Sequence, residues 1–113
     1  MHTKYKGILG EIIATFYLRL KGFKIIEHRF KTYCGEIDII ATKNDLVVFV
    51  EVKARKTKDE CFIAIRDKQL KRIQRASQIF LGYHPKFANY FIRYDVVLIS
   101  DWAIPIHIEN ITI

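Results

Sequence analysis

No apolar run in this sequence approaches the roughly 18 residues that a membrane-spanning helix needs. The N-terminus places an apolar stretch after basic residues, but Glu11 interrupts it and no small-residue cleavage site follows. It reads as structure and not as a leader. Cysteine is scarce: Cys34 and Cys61 stand alone, in no metal or redox spacing. Two thiols in a reducing cytoplasm is the simpler reading, and a disulfide stays open. There is no Gly-rich phosphate loop, no H-E-x-x-H and no G-x-S-x-G. Repeats, linkers and low-complexity stretches are also absent. Negative charge is the scarcer sign, 12 Asp plus Glu against 19 Lys plus Arg, for a net charge of +7. That balance fits an anionic partner such as nucleic acid, and by itself does not separate it from an acidic membrane surface.

What is present suits one domain, residues 1–113, with one core: half of the residues are apolar. Its centre is the stretch Gly35 to Lys53, G-E-I-D-I-I-A-T-K-N-D-L-V-V-F-V-E-V-K. Two Val- and Ile-rich runs flank Asn44-Asp45, a turn signal between strands. If those two residues are the loop, Lys43 pairs with Leu46, Ile40 with Phe49, and Asp38 lies opposite Glu51 in a non-hydrogen-bonded pair. Lys53, two residues on, shares the face of Glu51. Ile37, Ile39, Ala41, Val48, Val50 and Val52 are expected on one face, and Ile40, Val47 and Phe49 on the other. Like charges opposite each other weaken a ladder, and half-buried charges need a partner. A divalent cation shared by Asp38 and Glu51 would supply one. The alternative is that both acids sit at a solvated sheet end and pair with Lys53 or Arg29. Glu36 has the parity of Asp38 and is a further candidate carboxylate.

Around this hairpin, residues 7–21 carry a helical pattern, with Ile8, Ile12, Phe16 and Leu20 on one face, Leu9 and Ile13 beside them, and Gly22 as the stop. Glu11 takes a boundary position in the first turn. Residues 23–30 read as a strand, from which His28 and Arg29 could reach a phosphate. Residues 54–60 read as a charged loop in which Arg55, Lys56 and Lys58 form a positive rim, and 61–65 stay unassigned. A helix over 67–81 turns Leu70, Ile73, Ser77 and Phe80 inward and carries the basic residues Lys68, Lys71, Arg72 and Arg75, with Gly82 ending it. Residues 90–99 form a strand parallel to 46–53, on which Arg93 and Asp95 share a face. A last edge strand covers 104–108, with His107 as an edge or surface histidine and not a ligand. The order α-β-β-β-α-β-β is an α/β fold, a mixed sheet flanked by helices.

The succession Gly10-Glu11, Gly35-Glu36-Ile37-Asp38, Val50-Glu51-Val52-Lys53, Lys68, Arg72-Ile73, Arg93-Tyr94-Asp95-Val96-Val97 and His107-Ile108-Glu109-Asn110 resembles the YraN-like proteins, an uncharacterised bacterial family. That family in turn resembles the restriction-endonuclease-like, PD-(D/E)xK, superfamily. The resemblance covers nearly the whole chain, although Ile37 stands where the superfamily often has proline. It implies a restriction-endonuclease-like core and an Mg²⁺- or Mn²⁺-dependent endonuclease or DNA-processing protein. Asp38 and Glu51 would hold the metal, Lys53 would assist water attack, and Glu11 would match the helical glutamate of the Holliday-junction-resolvase branch, as a catalytic residue and an additional ligand. Arg29, Arg55, Lys56, Lys58, Lys68, Lys71 and Arg72 are the expected contacts to DNA, structured or single-stranded. The expected protein is cytoplasmic, off the membrane, and dimeric as resolvase-like relatives often are. Two other readings stand beside this one: a non-catalytic nucleic-acid-binding module of the same fold, and a basic protein-interaction domain.

Overall fold

A computed structural model describes residues 3–111 of the chain, with side chains from residue 7 onward. Helix α1 (Thr3–Leu20) is followed by strands β1 (Lys24–Lys31), β2 (Glu36–Lys43) and β3 (Leu46–Ala54). Then come a short helix α2 (Lys58–Ala64), helix α3 (Asp67–Tyr83), a 3₁₀ turn (Pro85–Phe87), and strands β4 (Phe91–Ile99) and β5 (Ile106–Ile108). The strands lie in sequence order, β1-β2-β3-β4-β5. Neighbours are antiparallel except β3 and β4, which run parallel across the helical crossover. The expected mixed α/β sheet is therefore present, and the hairpin β2–β3 is central to it. Among the described residues no helix is long and apolar enough to cross a membrane.

Each sheet face carries its own core. Toward α3, Ile40, Val47, Phe49, Val96 and Leu98 pack with Leu70, Ile73, Ala76 and Phe80. The inward stripe expected for this helix is buried as read, Ser77 included. Toward α1, Ile39, Ala41, Val48, Val50 and Val97 pack with Ala14, Leu18 and Phe23. The alternation holds from Ile39 outward to the turn, where Asn44 takes a left-handed φ of +55°.

Four expectations are corrected. Residues 58–60, read as loop, and 61–64, left unassigned, together form a helix, which Thr57 caps by accepting the Glu60 N–H at 3.2 Å. Buried Cys61 then ties α2 to the sheet through the carbonyls of Lys53 and Ile99. Helix α3 runs through Gly82 and stops at His84, before Pro85. His107, read as an edge or surface histidine, lies on the edge strand β5 but not at the surface. It is wedged between Asp95 (2.7 Å) and Lys21 (2.6 Å) with its side chain almost fully buried, so it ties β5 to β4 and to the end of α1. Asp95 also takes the Arg93 guanidinium and the Asn110 N–H. Burial alone would raise its pKa, but these hydrogen bonds outweigh it and hold the pKa below the ordinary value.

The fourth correction is the face of α1. The helix buries its small side, Gly10, Ala14, Thr15 and Leu18, and leaves Ile12, Phe16 and Leu20 exposed. Its stop is as read. Gly22 has φ +94°, and the Phe23 N–H reaches the Leu18 carbonyl at 3.0 Å while the Gly22 N–H reaches that of Arg19 at 2.9 Å. The reason for the small side is close packing on β3. A Cβ on Gly10 would stand 2.6 Å from the Ala54 Cβ, with the Ile99 Cβ behind it. Gly10→Ala should therefore destabilise the protein by about 1–3 kcal/mol, although alanine favours a helix by up to about 1 kcal/mol. Urea unfolding measures the net effect, and a gain in stability would mean that α1 does not lie this close.

Candidate active site

The hairpin fixes the site. The pairs Lys43–Leu46, Thr42–Val47, Ala41–Val48, Ile40–Phe49 and Ile39–Val50 form in the register read from the turn. The regular ladder stops there. Ile37 packs with Ile40 on the α3 side, so the alternation of β2 slips between them and Asp38 does not stand square to Glu51. Its carboxylate turns sideways and accepts the Val52 N–H at 2.8 Å, the donor that a regular ladder would have used elsewhere. On β1, Arg29 sits at a left-handed φ of +51° beside this slip.

Glu51 has the parity of Val47 and Phe49 and points toward α3, where it is 6% exposed. Lys53, one period on and 7% exposed, places Nζ 3.0 Å from Glu51 Oε1. Gln69, in the first turn of α3, closes the group. Its amide nitrogen donates to Glu51 Oε1 at 3.0 Å and its oxygen accepts from Lys53 Nζ at 2.6 Å. Sequence reasoning missed Gln69. The available signal was its place next to Lys68, one residue before the buried Leu70, at the start of a helix crossing back over β3.

The two acids share one electrostatic problem. Burial, then the Glu51 charge, push the Asp38 pKa up to about 8 against the Val52 N–H, and Glu11 and Glu36 add to the rise. Burial also raises Glu51. Lys53 opposes this, as does a hydrogen bond between the Glu51 and Asp38 carboxyls. Both carboxyls are thus shifted upward, and the shift of each depends on the charge of the other.

Glu11 is placed differently. It stands on α1, across the sheet from Gln69, and its carboxylate takes Arg29 through contacts of 2.8 and 3.1 Å. Among the described residues no group of three or more His, Cys, Asp or Glu is close enough to hold a metal ion, so Glu11 completes no such set. Glu36 is exposed at the start of β2, opposite Lys31. The carboxylates left in this neighbourhood are Asp38, half-buried, and Glu51, buried. Those hard oxygen donors fit Mg²⁺ or Mn²⁺, which keep several waters and accept phosphate oxygens in the other positions.

Beside Lys53 a cavity of about 510 Å³ is lined by Arg55, Arg66, Glu60 and Gln69 together with Ile63 and Ala64. Arg66, which the sequence reading passed over, thus faces the site along with Arg55. Lys56, Lys58, Lys68, Lys71 and Arg72 are all exposed. Arg72 is set by the β1–β2 loop: a Cβ on Gly35 would meet the Arg72 Cβ at 3.0 Å, so the loop rests directly on α3. Cys34 and Cys61 are free thiols.

Fold and site together define an α/β protein with a mixed five-stranded sheet that buries Glu51 and Lys53 under a basic helix, with Asp38 half-buried beside them. The chain belongs to Uncharacterised protein family UPF0102, whose sequence model it matches over residues 10–99. It is 47% identical over 106 residues to a UPF0102 protein of Chelativorans sp. (strain BNC1), covering 94% of this chain and 86% of the relative. A UPF0102 protein of Bartonella tribocorum (strain CIP 105476 / IBS 506) is 45% identical over 104 residues, 92% of this chain and 80% of the relative. One from Rhodopseudomonas palustris (strain HaA2) is 42% identical over 102 residues, with 90% and 80% covered.

Proposed function

We propose that this protein is a metal-dependent endonuclease or DNA-processing enzyme that hydrolyses phosphodiester bonds in structured or single-stranded DNA. It would act in the cytoplasm as a single nuclease-like domain of residues 1–113. The observation that carries the reading is the half-buried Asp38, its pKa pushed up by burial and by Glu51, next to the buried Glu51–Lys53 pair and a cavity flanked by Arg55 and Arg66. The resemblance to the restriction-endonuclease-like superfamily selects the same residues.

Asp38 and Glu51 would hold Mg²⁺ or Mn²⁺, which when bound lowers the pKa of water and neutralises charge at a phosphate. Lys53, its Nζ held by Gln69 and Glu51, orients the attacking water or stabilises the negative charge that develops on the phosphate. Gln69 is a positioning residue, because it fixes both Lys53 and Glu51. Glu11 acts from the α1 side, holding Arg29 at the margin of the site. Arg55, Lys56, Lys58, Arg66, Lys68, Lys71 and Arg72 grip the backbone on either side, so affinity falls steeply with salt.

The test is purified protein against a panel of branched, flapped, single-stranded and duplex DNA, with Mg²⁺ or chelator. Glu51→Gln is expected to lose activity by about 100-fold or more, the scale of removing one electrostatic stabiliser of a transition state. Equal cutting by wild type and Glu51→Gln would assign the activity to a contaminant and remove the proposal. A second reading, a nucleic-acid-binding module without cleavage, is favoured by the way Glu51, Lys53 and Gln69 satisfy one another. In that case DNA binds in chelator, Glu51→Gln binds as well as wild type, and nothing is cut under any condition.

A further inference from the structure

Helix α1 carries its large apolar side chains on the wrong side for an isolated chain. Leu9, Ile13, Phe16 and Leu20 point outward, from 36% to 88% exposed, while the buried stripe is built on glycine and alanine. Trp102 is fully exposed, and it stands beside Leu9 and Ile13 across a groove of about 460 Å³. On the other flank, Ile8, Ile12 and Phe16 border a second groove of about 370 Å³ that extends to Arg29.

We infer that this face joins two copies of the chain, α1 against α1, about a two-fold axis. The ridge positions 9, 13, 16 and 20 step by four, three and four. That is the seam repeat that packs one helix against another. The pattern reads the same in both directions. An antiparallel pairing centred between Ile13 and Phe16 sets Leu9 beside the partner's Leu20, and Ile13 beside the partner's Phe16, as an isologous contact requires. The grooves flanking the ridge give a second ridge a place to lie. The ridge itself carries no charge, so a polyanion finds nothing there to match. The basic residues of α3 lie on the opposite sheet face and stay uncovered. With Ile12 and Trp102, the exposed area of these six residues sums to on the order of 700 Å² per copy. That is close to the roughly 800 Å² each partner contributes to a stable interface of ordinary size. The inference stands apart from the nuclease reading, since it uses none of the site residues.

Trp102 is the only tryptophan in the chain, and its emission therefore reports on this face alone. Light scattering and tryptophan emission are followed together from low to high micromolar protein, for wild type, Ile13→Glu, Phe16→Glu and the α3 variant Lys71→Glu. All three substituted positions are exposed, so the fold is expected to survive, and circular dichroism and thermal unfolding check it. Wild type and Lys71→Glu should reach twice the monomer mass, with emission shifting to the blue as they do. Ile13→Glu and Phe16→Glu should raise the dissociation constant by about 30-fold or more, the effect of losing a central interface contact, and keep a water-exposed emission. A monomer mass at every concentration overturns the inference, and so does a dimer indifferent to both α1 variants. A blue shift that arises only on adding vesicles of anionic lipid, with the protein monomeric in solution, assigns the face to a membrane surface instead.

Discussion

Asp38→Asn should make the metal-free protein more stable above neutral pH. In the folded chain the Asp38 carboxyl is held protonated up to about pH 8, by burial and by Glu51, whereas in the unfolded chain it ionises near 3.8. Below pH 3.8 both states carry the proton, and its contribution to stability is fully present. Between the two values only the folded state binds it, so stability falls by up to about 1.4 kcal/mol per pH unit as pH rises. Above pH 8 the loss is complete. Asparagine has nothing to titrate, and its side-chain oxygen still accepts the Val52 N–H. The variant's advantage should thus be absent near pH 4 and grow through pH 8. Because the Asp38 shift depends in part on the Glu51 charge, about 2–3 kcal/mol at pH 8 is the working expectation, below the full shift. On the proposed reading a divalent cation should reverse the order: it would bind the folded wild type, raise its stability by mass action, and leave Asp38→Asn little changed. Urea unfolding at several pH values in chelator, repeated in Mg²⁺ and Mn²⁺, gives both results. Parallel pH curves for the two proteins would show that Asp38 is not under this strain. Equal metal shifts would place the ion elsewhere.

The chemistry of this site was legible where periodicity and turn chemistry act alone, and illegible where tertiary packing intervened. Asn44-Asp45 determined the register of β2 on β3, and through it the shared direction of Glu51 and Lys53. The helical period over 67–81 placed Leu70, Ile73, Ser77 and Phe80 correctly, because nothing else competes for that face. The slip at Asp38 left no trace in composition. A residue at a strand end answers to its neighbours' backbones, and a period of two describes only an undisturbed ladder. Gln69 looked like any polar residue in a helix, because what makes it matter is the crossover that lays α3 over β3. Helix α1 misled for a different reason. Its pattern of large apolar residues was real, but hydrophobicity ranks side chains by size, and the tight approach to Ala54 selected for smallness. Glycine and alanine took the inward face, and the residues that a periodicity argument assigns to the core were left outside.

Lys53→Met should be the most damaging single change in the site as far as stability is concerned. The Lys53 ammonium and the Glu51 carboxylate are 3.0 Å apart, with side-chain exposures of 9% and 7%. At that burial, removing one partner strands the other charge, which typically costs about 3–5 kcal/mol. Methionine keeps most of the lysine stem, so the loss reports the charge and not the packing. Two features separate this from a generic core defect. First, the loss should shrink as pH falls. Lys53 is what opposes burial at Glu51, and without it the Glu51 pKa rises further and the protonated acid needs no cation. The penalty is therefore largest at pH 8 and smallest near pH 5. Second, the double variant Glu51→Gln with Lys53→Met should recover most of the stability, because removing both charges leaves neither unpaired, and Gln69 can still donate to the new amide. Denaturant unfolding of wild type, both single variants and the double variant at pH 5 and pH 8 completes the cycle. Additive losses, the same at both pH values, would mean that Glu51 and Lys53 are not coupled in the folded protein. The role proposed for Lys53 at a phosphate would then lose its support.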